Sequence, residues 1–152
     1  MHFKKDFHRL NENFYKNASG LKEILQKENR PHTIAIFEID KLLFAIPFRT
    51  NIRHPYSYRF KNSEITGSPG LDFSKAVLVN ENDLGEKTNV NYVEFTEFDQ
   101  NRVFIARRFS KFISDYKKWV ESPEKYKSKQ TVIKFSSLQN YHQKLGIIEP
   151  IK

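Results

Sequence analysis

The sequence predicts an α+β domain in which helices flank a small antiparallel sheet. A β-hairpin pattern occupies residues 33–46, and a long amphipathic helix pattern occupies residues 101–120. Further helical patterns stand before the hairpin and at the end of the chain. This order of helices, a strand core and then helices again is the one expected of an α+β domain.

The composition predicts a single folded domain spanning residues 1–152. Hydrophobic residues make up 38% of the chain and aromatic residues 14%, so a packed core is expected rather than disorder. The chain has no cysteine, which excludes disulfides, cysteine nucleophiles and thiolate metal sites. No apolar run approaches the about 20 residues that span a bilayer, and no signal-peptide core is present, so we expect a cytoplasmic protein.

The charge of the chain points to a polyanionic partner. Lysine and arginine number 26 against 18 acids, which gives a formal net charge of +8. Residues 72–99 carry seven acids and two lysines, whereas residues 102–134 carry ten basic residues and three acids. This segregation predicts a basic binding face opposite an acidic one.

The chain before the hairpin predicts two helices. Apolar residues at helical spacing indicate an amphipathic helix over residues 6–16. Ser19 is placed to cap a second, short helix, which ends before Pro31 because proline disfavours a helical conformation in the residue preceding it.

The hairpin is the best-defined strand pair in the sequence. Thr33–Ile39 forms the first strand, Asp40 and Lys41 form a tight turn, and residues 42–46 form the return strand. We expect Pro47 to end that strand. The hairpin would then hold the polar residues that follow it at the rim of the sheet.

Beyond the hairpin the patterns alternate between loops and short strands. A loop is predicted over residues 63–70, a strand over 71–79, a loop or ragged hairpin over 80–91, and another strand over 92–98.

The last third of the sequence is mainly helical. A helix over residues 101–120 is followed by a break at Pro123 and a basic connection over residues 125–129. Residues 131–135 resemble a short strand, and Ser136 caps a closing helix that runs to about residue 144.

The candidate functional stretch is FAIPFRTNIRHPYSYRFK at residues 44–61. Five lysines and arginines and no acid occur between residues 41 and 63. Cations, a hydroxyl, an amide and an imidazole on a turn leaving a strand suit a bound phosphate. The residues concerned are Arg49, Thr50, Asn51, Arg53 and His54. The alternative is a solvated basic loop.

Two further features complete the candidate site. Lys75 stands at the entrance to a buried strand segment, where it is either a structural residue or an ammonium held toward a phosphate. The five histidines are not spaced like metal ligands, and no nucleotide-binding or hydrolase motif is present. We therefore expect neither a catalytic metal nor a cofactor.

These residue types suit RNA cleavage without a metal. The ribose 2′-OH is the nucleophile, so the protein has only to align it, move two protons and stabilise the charge on the phosphate. Arginines suit the charge-stabilising role, because a guanidinium holds two phosphate oxygens at once. RNA contacts are expected from aromatic residues and cations of the stretch and of the long helix: Tyr56, Tyr58, Arg59, Lys61, Arg107, Arg108, Lys111 and Lys118. The alternatives are strand packing for the tyrosines and a solvated face for the helix.

Four motifs resemble one known family. FAIPFRTNIRH at residues 44–54, GLDFSKAVLV at 70–79, RRFSKFISDY at 107–116 and FSSLQNYHQKLGI at 135–147 resemble type III toxin–antitoxin toxins. Within that group, which includes ToxN, AbiQ and TenpN, the chain is most similar to the CptN type in its length and loop.

The resemblance implies a barrel-like sheet related to Kid and MazF, and metal-independent cleavage that leaves a 2′,3′-cyclic phosphate. It also implies a closed assembly with a small pseudoknotted RNA antitoxin. ToxN proper has a Thr-Ser pair followed by lysines and a tryptophan in its turn. This chain has Arg49, Thr50 and Asn51 instead, and Arg53 in place of a lysine. The proton-transfer roles therefore stay open. A non-catalytic RNA-binding module and a ribosome-associated structural protein are the alternatives.

Overall fold

The structure, a computed structural model, describes residues 2–3, 7–25 and 32–151. It has the predicted α+β architecture, with an antiparallel sheet flanked by helices. The strands are β1 (His2–Phe3), β2 (Phe7–Leu10), β3 (Thr33–Ile39), β4 (Leu42–Arg49), β5 (Ser57–Arg59), β6 (Gly70–Asp72), β7 (Val77–Val79) and β8 (Leu84–Thr88). The helices are α1 (Glu12–Asn17), α2 (Tyr92–Gln100), α3 (Arg102–Glu121) and α4 (Gln130–Phe135).

The central strands of the sheet are β3 and β4. The order across the sheet is β5-β6-β4-β3-β2-β8, with β1 also paired to β3 and β7 also paired to β4. All of these pairs are antiparallel. The described strands do not close on themselves, since β5 and β8 are the two edges of this order. The structure thus bears out the antiparallel sheet, and it does not bear out the barrel-like closure.

The predicted hairpin is confirmed, but its second strand is longer than expected. Asp40 and Lys41 form the turn, both with positive φ, at 51° and 67°. Strand β4 continues through Pro47 to Arg49, so the prediction that Pro47 ends it was wrong. At Pro47 the strand changes partners on one side, from β7 to β6. A missing N–H is tolerated best at such a break in the ladder.

Two predictions before the hairpin were wrong. Phe7–Leu10 is a strand rather than the start of a helix, because it pairs with β3 on one side and β8 on the other. The helix begins at Glu12, where the Asn11 side chain accepts the Phe14 N–H at 2.9 Å. No helix forms over residues 21–25, and the rest of the second predicted helix lies outside the described residues.

Three short segments later in the chain also differ from prediction. Residues 71–79 form β6, a 3-10 turn and β7 rather than one strand. Residues 92–98 are helical, because Glu94, Glu97 and Phe98 then share one buried face. Residues 131–135 lie in α4 instead of a strand. The last two segments have seven and five residues and fit either period, so their patterns do not separate helix from strand.

The long helix is confirmed, whereas the closing helix is shorter than predicted. Helix α3 spans Arg102–Glu121, within one or two residues of its predicted bounds. A 3-10 turn occupies Lys127–Lys129 in the basic connection. The closing helix is a 3-10 turn at Ser137–Tyr141, and the Ser136 hydroxyl caps it by accepting the Leu138 N–H at 3.1 Å.

The core lies on both faces of the sheet. Ala35, Phe37 and Ile39 of β3 face a large cluster that includes α2 and α3. Ile34 and Ile36 face a smaller cluster that includes α1 and the turn at Ser137–Tyr141. Burial on both faces explains why this strand is almost continuously apolar. In the described part of the chain, no helix combines the length and apolarity needed to cross a membrane.

Candidate active site

A buried carboxylate organises the polar residues that follow β4. Asp72 is inaccessible to solvent, and its Oδ2 accepts a hydrogen bond from Arg49 Nη1 at 2.8 Å. Its Oδ1 lies 3.2 Å from His54 Nε2. Arg49 and His54 are each about one-third exposed, at 33% and 31%. One carboxylate therefore holds a guanidinium and an imidazole together at the protein surface.

The position of Asp72 follows from its local sequence. Strand β6 ends at Asp72, and the side chain caps the 3-10 turn that follows by accepting the Ser74 N–H at 3.0 Å and the Ser74 hydroxyl at 2.6 Å. Gly70 begins the same strand and pairs with Arg49 on one side and Arg59 on the other. A Cβ at Gly70 would collide with the Tyr58 carbonyl oxygen, so this close strand approach requires glycine.

The Asp72 carboxyl remains ionised because of its partners. Burial by itself would raise the pKa of Asp72, but hydrogen bonds from His54, Ser74 and Arg49 outweigh it and hold this pKa below its usual value. A buried carboxylate with four donors around it is a fixed negative charge at neutral pH. It orients the Arg49 guanidinium and the His54 imidazole without binding substrate itself.

The hydrogen bonds of His54 define its tautomer. The Tyr56 N–H donates to His54 Nδ1 at 3.1 Å, so Nδ1 carries no proton and the neutral ring is protonated at Nε2. That Nε2–H faces Asp72. In this arrangement His54 accepts a substrate proton only when the Tyr56 N–H releases Nδ1.

The turn after β4 presents its polar side chains to solvent. Ile52 is buried, and its N–H donates to the Ser68 carbonyl at 3.0 Å, which anchors the turn. Thr50, Asn51 and Arg53 are exposed around it. The Thr50 carbonyl accepts the Ser68 N–H at 2.9 Å, and Arg53 Nε donates to Asn51 Oδ1 at 3.5 Å. The turn leaves these three side chains accessible to a phosphate.

Two clefts meet at His54. The first, here called the Phe104 cleft, has a volume of about 480 Å³. None of its described lining residues is acidic, and four are basic: Arg53, Arg59, Lys61 and Arg108. It also contains the exposed ring of Phe104. Arg59 Nη2 donates to the His54 carbonyl at 3.2 Å, which ties the cleft wall to the site.

The second cleft, here called the Phe135 cleft, is also lined by His54 and has a volume of about 360 Å³. Its described lining is again free of acids: Arg49, His54, Tyr56, Ser74, Lys75, Thr131, Val132 and Phe135. Thr50 and Asn51 line neither cleft.

Lys75 belongs to the Phe135 cleft, but its ammonium is already engaged. Lys75 Nζ donates to Glu23 Oε2 at 2.8 Å and to the Phe135 carbonyl at 2.7 Å. Its side chain is only 13% exposed. The structure therefore favours the structural role for Lys75, the fastening of α4 to the sheet, over the phosphate-binding role.

A third concavity, the Trp119 cleft, separates the loop of Pro55 and Tyr56 from α3 and has a volume of about 260 Å³. Lys129 Nζ donates to the Tyr56 hydroxyl at 3.2 Å and lies 5.3 Å from the centroid of the Trp119 ring. The Tyr56 ring stacks on His54 with centroids 5.8 Å apart. Tyr56 thus forms the wall between the site and the basic face of α3.

The basic residues of α3 fall into two sets. One set consists of three cations that share a helix face with Asp115, because successive members are three or four residues apart: Arg108, Lys111 and Lys118. Arg108 lines the Phe104 and Trp119 clefts, and Lys111 lines the latter, where it pairs with Asp115 at 2.6 Å. Arg107 is exposed but lines none of the three clefts.

Tyr58 is part of the core rather than a stacking surface. It is 3% exposed, and its hydroxyl donates to Glu97 Oε2 at 2.6 Å. Burial, followed by the hydrogen bond to Glu97, raises the pKa of Tyr58 well above its usual value. The structure thus supports the packing alternative for Tyr58. Lys61 is exposed in the Phe104 cleft, while its N–H is bound by the same carboxylate at 2.9 Å.

Sequence reasoning missed five residues of this region: Asp72, Ser74, Phe104, Lys129 and Phe135. Asp72 and Ser74 have the spacing of a capping pair at the end of a strand, which was the available signal. Phe104 falls off the apolar stripe of α3, so its exposure could be read from the helical period. Lys129 and Phe135 carry no local signal, because their neighbours come from distant parts of the chain.

Within the described residues no group of three or more histidines, aspartates or glutamates is placed to hold a metal ion. Comparisons with protein-family models, with curated proteins and with solved structures find no match to this chain. The resemblance to type III toxins therefore depends on the four sequence motifs.

Proposed function

We propose that this chain is a metal-independent endoribonuclease, the toxin of a type III toxin–antitoxin system. The observation that carries the proposal is the Asp72 arrangement. A buried carboxylate fixes Arg49, which lines the Phe135 cleft, and His54, which lines both clefts, and the described linings of the two clefts contain no acid. A polyanion crossing from one cleft to the other would place a phosphate beside both groups.

Two of the resembling motifs converge on this one site. FAIPFRTNIRH contains Arg49 and His54, and GLDFSKAVLV contains Asp72 and Ser74. They are separated along the chain, yet hydrogen bonds join them at Asp72. Residues that resemble the same family and meet at one surface site support the toxin assignment more than either motif does by itself.

The reaction requires charge stabilisation and two proton movements. The 2′-oxygen bonds to the adjacent phosphorus, the bond from phosphorus to the 5′-oxygen breaks, and the products are a 2′,3′-cyclic phosphate and a 5′-hydroxyl. Arg49 uses one of its five N–H donors on Asp72, which leaves others for the phosphate oxygens. Arg53 adds a second cation in the Phe104 cleft, and Thr50 and Asn51 bind phosphate from the exposed side of the turn.

His54 acts as the general base in this scheme only after a hydrogen bond to its ring has been broken. Its Nδ1 is the basic atom, and substrate has to displace the Tyr56 N–H before Nδ1 can take the 2′-OH proton. Catalytic hydrogen bonds commonly rearrange in this way when substrate binds.

The other properties of the family belong to the same proposal. They are a cytoplasmic location, inhibition by a small pseudoknotted RNA, a closed toxin–RNA assembly, and kinship of the sheet with Kid and MazF. Tandem repeats of pseudoknot length, followed by a terminator just upstream of the gene, would support the toxin assignment. The absence of such repeats would contradict it.

Incubation of the purified chain with RNA in EDTA tests the activity. We expect cleavage with 2′,3′-cyclic phosphate ends, lost in Arg49→Ala and retained in Lys117→Ala, which removes an exposed cation outside the clefts. Cleavage that disappears in EDTA and returns with magnesium would overturn the metal-independent mechanism. Cleavage that is equal in Arg49→Ala and in wild type would overturn the site.

A non-catalytic RNA-binding module is the second candidate. The observation that favours it is the engagement of both His54 ring nitrogens, by Tyr56 and by Asp72. RNA that binds tightly in the same experiment without being cut would establish this alternative.

A further inference from the structure

We infer that Phe104 and Phe135 are stacking platforms for two unpaired bases, one on each side of the phosphate held at His54. The substrate would then be single-stranded across the whole site. This inference relies on the proposed function for the identity of the polyanion as RNA. It goes further in naming two specificity residues and the conformation of the strand that they accept.

Phe104 is held in place while about half of it faces solvent. It is 53% exposed on the otherwise polar face of α3. The buried Tyr58 supports it in a T-shaped contact, with ring centroids 6.2 Å apart at 71°. Tyr58 is itself fixed by its hydrogen bond to Glu97. An aromatic ring with a rigid support and an open surface is a preformed stacking site.

Phe135 has a corresponding position in the Phe135 cleft. It is 59% exposed at the end of α4. Its own carbonyl accepts Lys75 Nζ at 2.7 Å, which fastens this end of the helix to the sheet. The ring lines the cleft that also contains Arg49 and the half-buried Tyr56.

The surrounding charge indicates which kind of molecule these rings bind. A single exposed phenylalanine is ordinary and needs no explanation. These two differ from Tyr92, which is more exposed at 82% but lies in none of the clefts described above. Phe104 shares its cleft with four cations and Phe135 shares its cleft with the Arg49 guanidinium, with no acid in either described lining.

Cations that follow a backbone, interleaved with aromatic rings, are the usual means of binding single-stranded nucleic acid. An apolar protein partner would instead favour a surface depleted of charge at its centre. Because His54 lines both clefts, a strand that stacks on both rings passes the Arg49 and His54 pair between them. Bases in a duplex are already stacked and cannot make these contacts.

Binding of uncleavable RNA tests the inference apart from catalysis. The probes are fluorescent oligonucleotides of random sequence with 2′-O-methyl sugars, which block the nucleophile, in single-stranded and duplex form. Phe104→Leu and Phe135→Leu remove the aromatic face and keep an apolar side chain. Each should weaken single-strand binding about 5-fold to 100-fold, the effect of losing one stacked base. Phe104→Trp and Phe135→Trp should restore it.

Tyr92→Leu is the matched control, since it removes an exposed aromatic ring outside the clefts. It should bind like wild type, and duplex binding should be the same in all variants. A series of RNA strands, each with one abasic position, tests whether a particular base contacts a particular ring. An abasic position that weakens wild-type binding should have no effect in the variant whose ring it contacts.

The outcomes separate this inference from the proposed function. The inference of stacking platforms is wrong if both leucine variants bind single-stranded RNA as wild type does. It is also wrong if Tyr92→Leu weakens binding equally, or if the leucine variants weaken duplex binding equally. Both conclusions hold whether or not the chain cleaves RNA. A wild-type chain that binds no RNA also overturns the inference. If binding depends on the two rings but an all-ribose strand is not cleaved, the inference of stacking platforms is supported and the proposed endoribonuclease activity is wrong.

Discussion

Asp72 and Glu97 are both buried carboxylates that hold one segment, residues 49–62, yet their partners differ in kind. Asp72 binds Arg49 and His54, which reach the surface clefts. Glu97 accepts the Tyr58 hydroxyl at 2.6 Å and the N–H groups of Lys61 and Asn62 at 2.9 and 2.8 Å, and these atoms face inward.

The difference separates a functional from a structural use of the same group. A carboxylate whose partners are partly exposed guanidinium and imidazole groups sets up chemistry at the surface. One whose partners are backbone donors and a buried hydroxyl holds a loop closed. Glu97 holds the β5 end of the segment, and Asp72 orients the β4 end. The predictions below test this division, beginning with the largest expected effect.

The first prediction compares catalysis at the two carboxylates. The amide of Arg49→Gln can still donate to Asp72, but the charged guanidinium that binds phosphate is lost. The rate of single-turnover RNA cleavage should therefore fall about 100-fold to 1000-fold. Glu97→Gln should change cleavage by the folded protein only slightly. Equal losses of activity in the two variants would contradict the division into a functional and a structural carboxylate.

The second prediction compares stability. Glu97→Gln replaces one of two acceptor oxygens with an NH2 group among three donors, the Tyr58 hydroxyl and the N–H groups of Lys61 and Asn62. The free energy of unfolding in urea should therefore fall by about 1–3 kcal/mol. Glu86→Gln is the control, because Glu86 is exposed and its contact with Arg9 is long, at 3.5 Å. A stability equal to that of wild type in Glu97→Gln would show that Glu97 does not clamp the loop.

The third prediction concerns pH. Burial opposes ionisation of Glu97, but bonds from Tyr58, Lys61 and Asn62 outweigh it and lower its pKa. A lowered folded-state pKa stabilises the protein above the unfolded value of about 4.3, and this stability is lost as pH falls through the folded value. The stability difference between wild type and Glu97→Gln should therefore be constant near neutral pH and shrink on acidification. A difference that grows in acid would contradict this assignment.

The fourth prediction locates the RNA on the Asp72 side of the segment. Arg108 lines two of the clefts, so Arg108→Ala should reduce the slope of log affinity against log salt by about 1 for single-stranded RNA. Lys117→Ala is the control, because Lys117 is exposed on another side of α3. Equal slope changes in the two variants would place the RNA elsewhere.

The acidic third of the sequence shows how tertiary structure changes the meaning of composition. Seven acids between residues 72 and 99 predict an acidic face. Three of them, Asp72, Glu94 and Glu97, are buried in the structure. Glu94 accepts the Ser63 hydroxyl, so two of the three hold the loop after β5 and the third holds Arg49 and His54. Three of the seven negative charges therefore hold the segment that carries the basic site instead of facing away from it.

The sequence by itself determined the elements whose signals are local. The hairpin follows from two apolar strands around a two-residue turn, and α3 follows from an apolar stripe repeated over 20 residues. It also singled out the turn with Arg49 and His54, because that stretch combines cations with turn residues. These features depend on neighbours within a few residues, so a linear pattern records them.

Only the tertiary structure decided what this turn contacts. Asp72 lies 23 residues from Arg49 along the chain, and the carbonyl of Phe135 lies 60 residues from the Lys75 ammonium that it binds. Helical or strand period indicates which side chains share a face, but it does not indicate what is packed against that face. Charge pairing, burial and the openness of Phe104 and Phe135 arise from such distant contacts, and they emerge only when the chain folds.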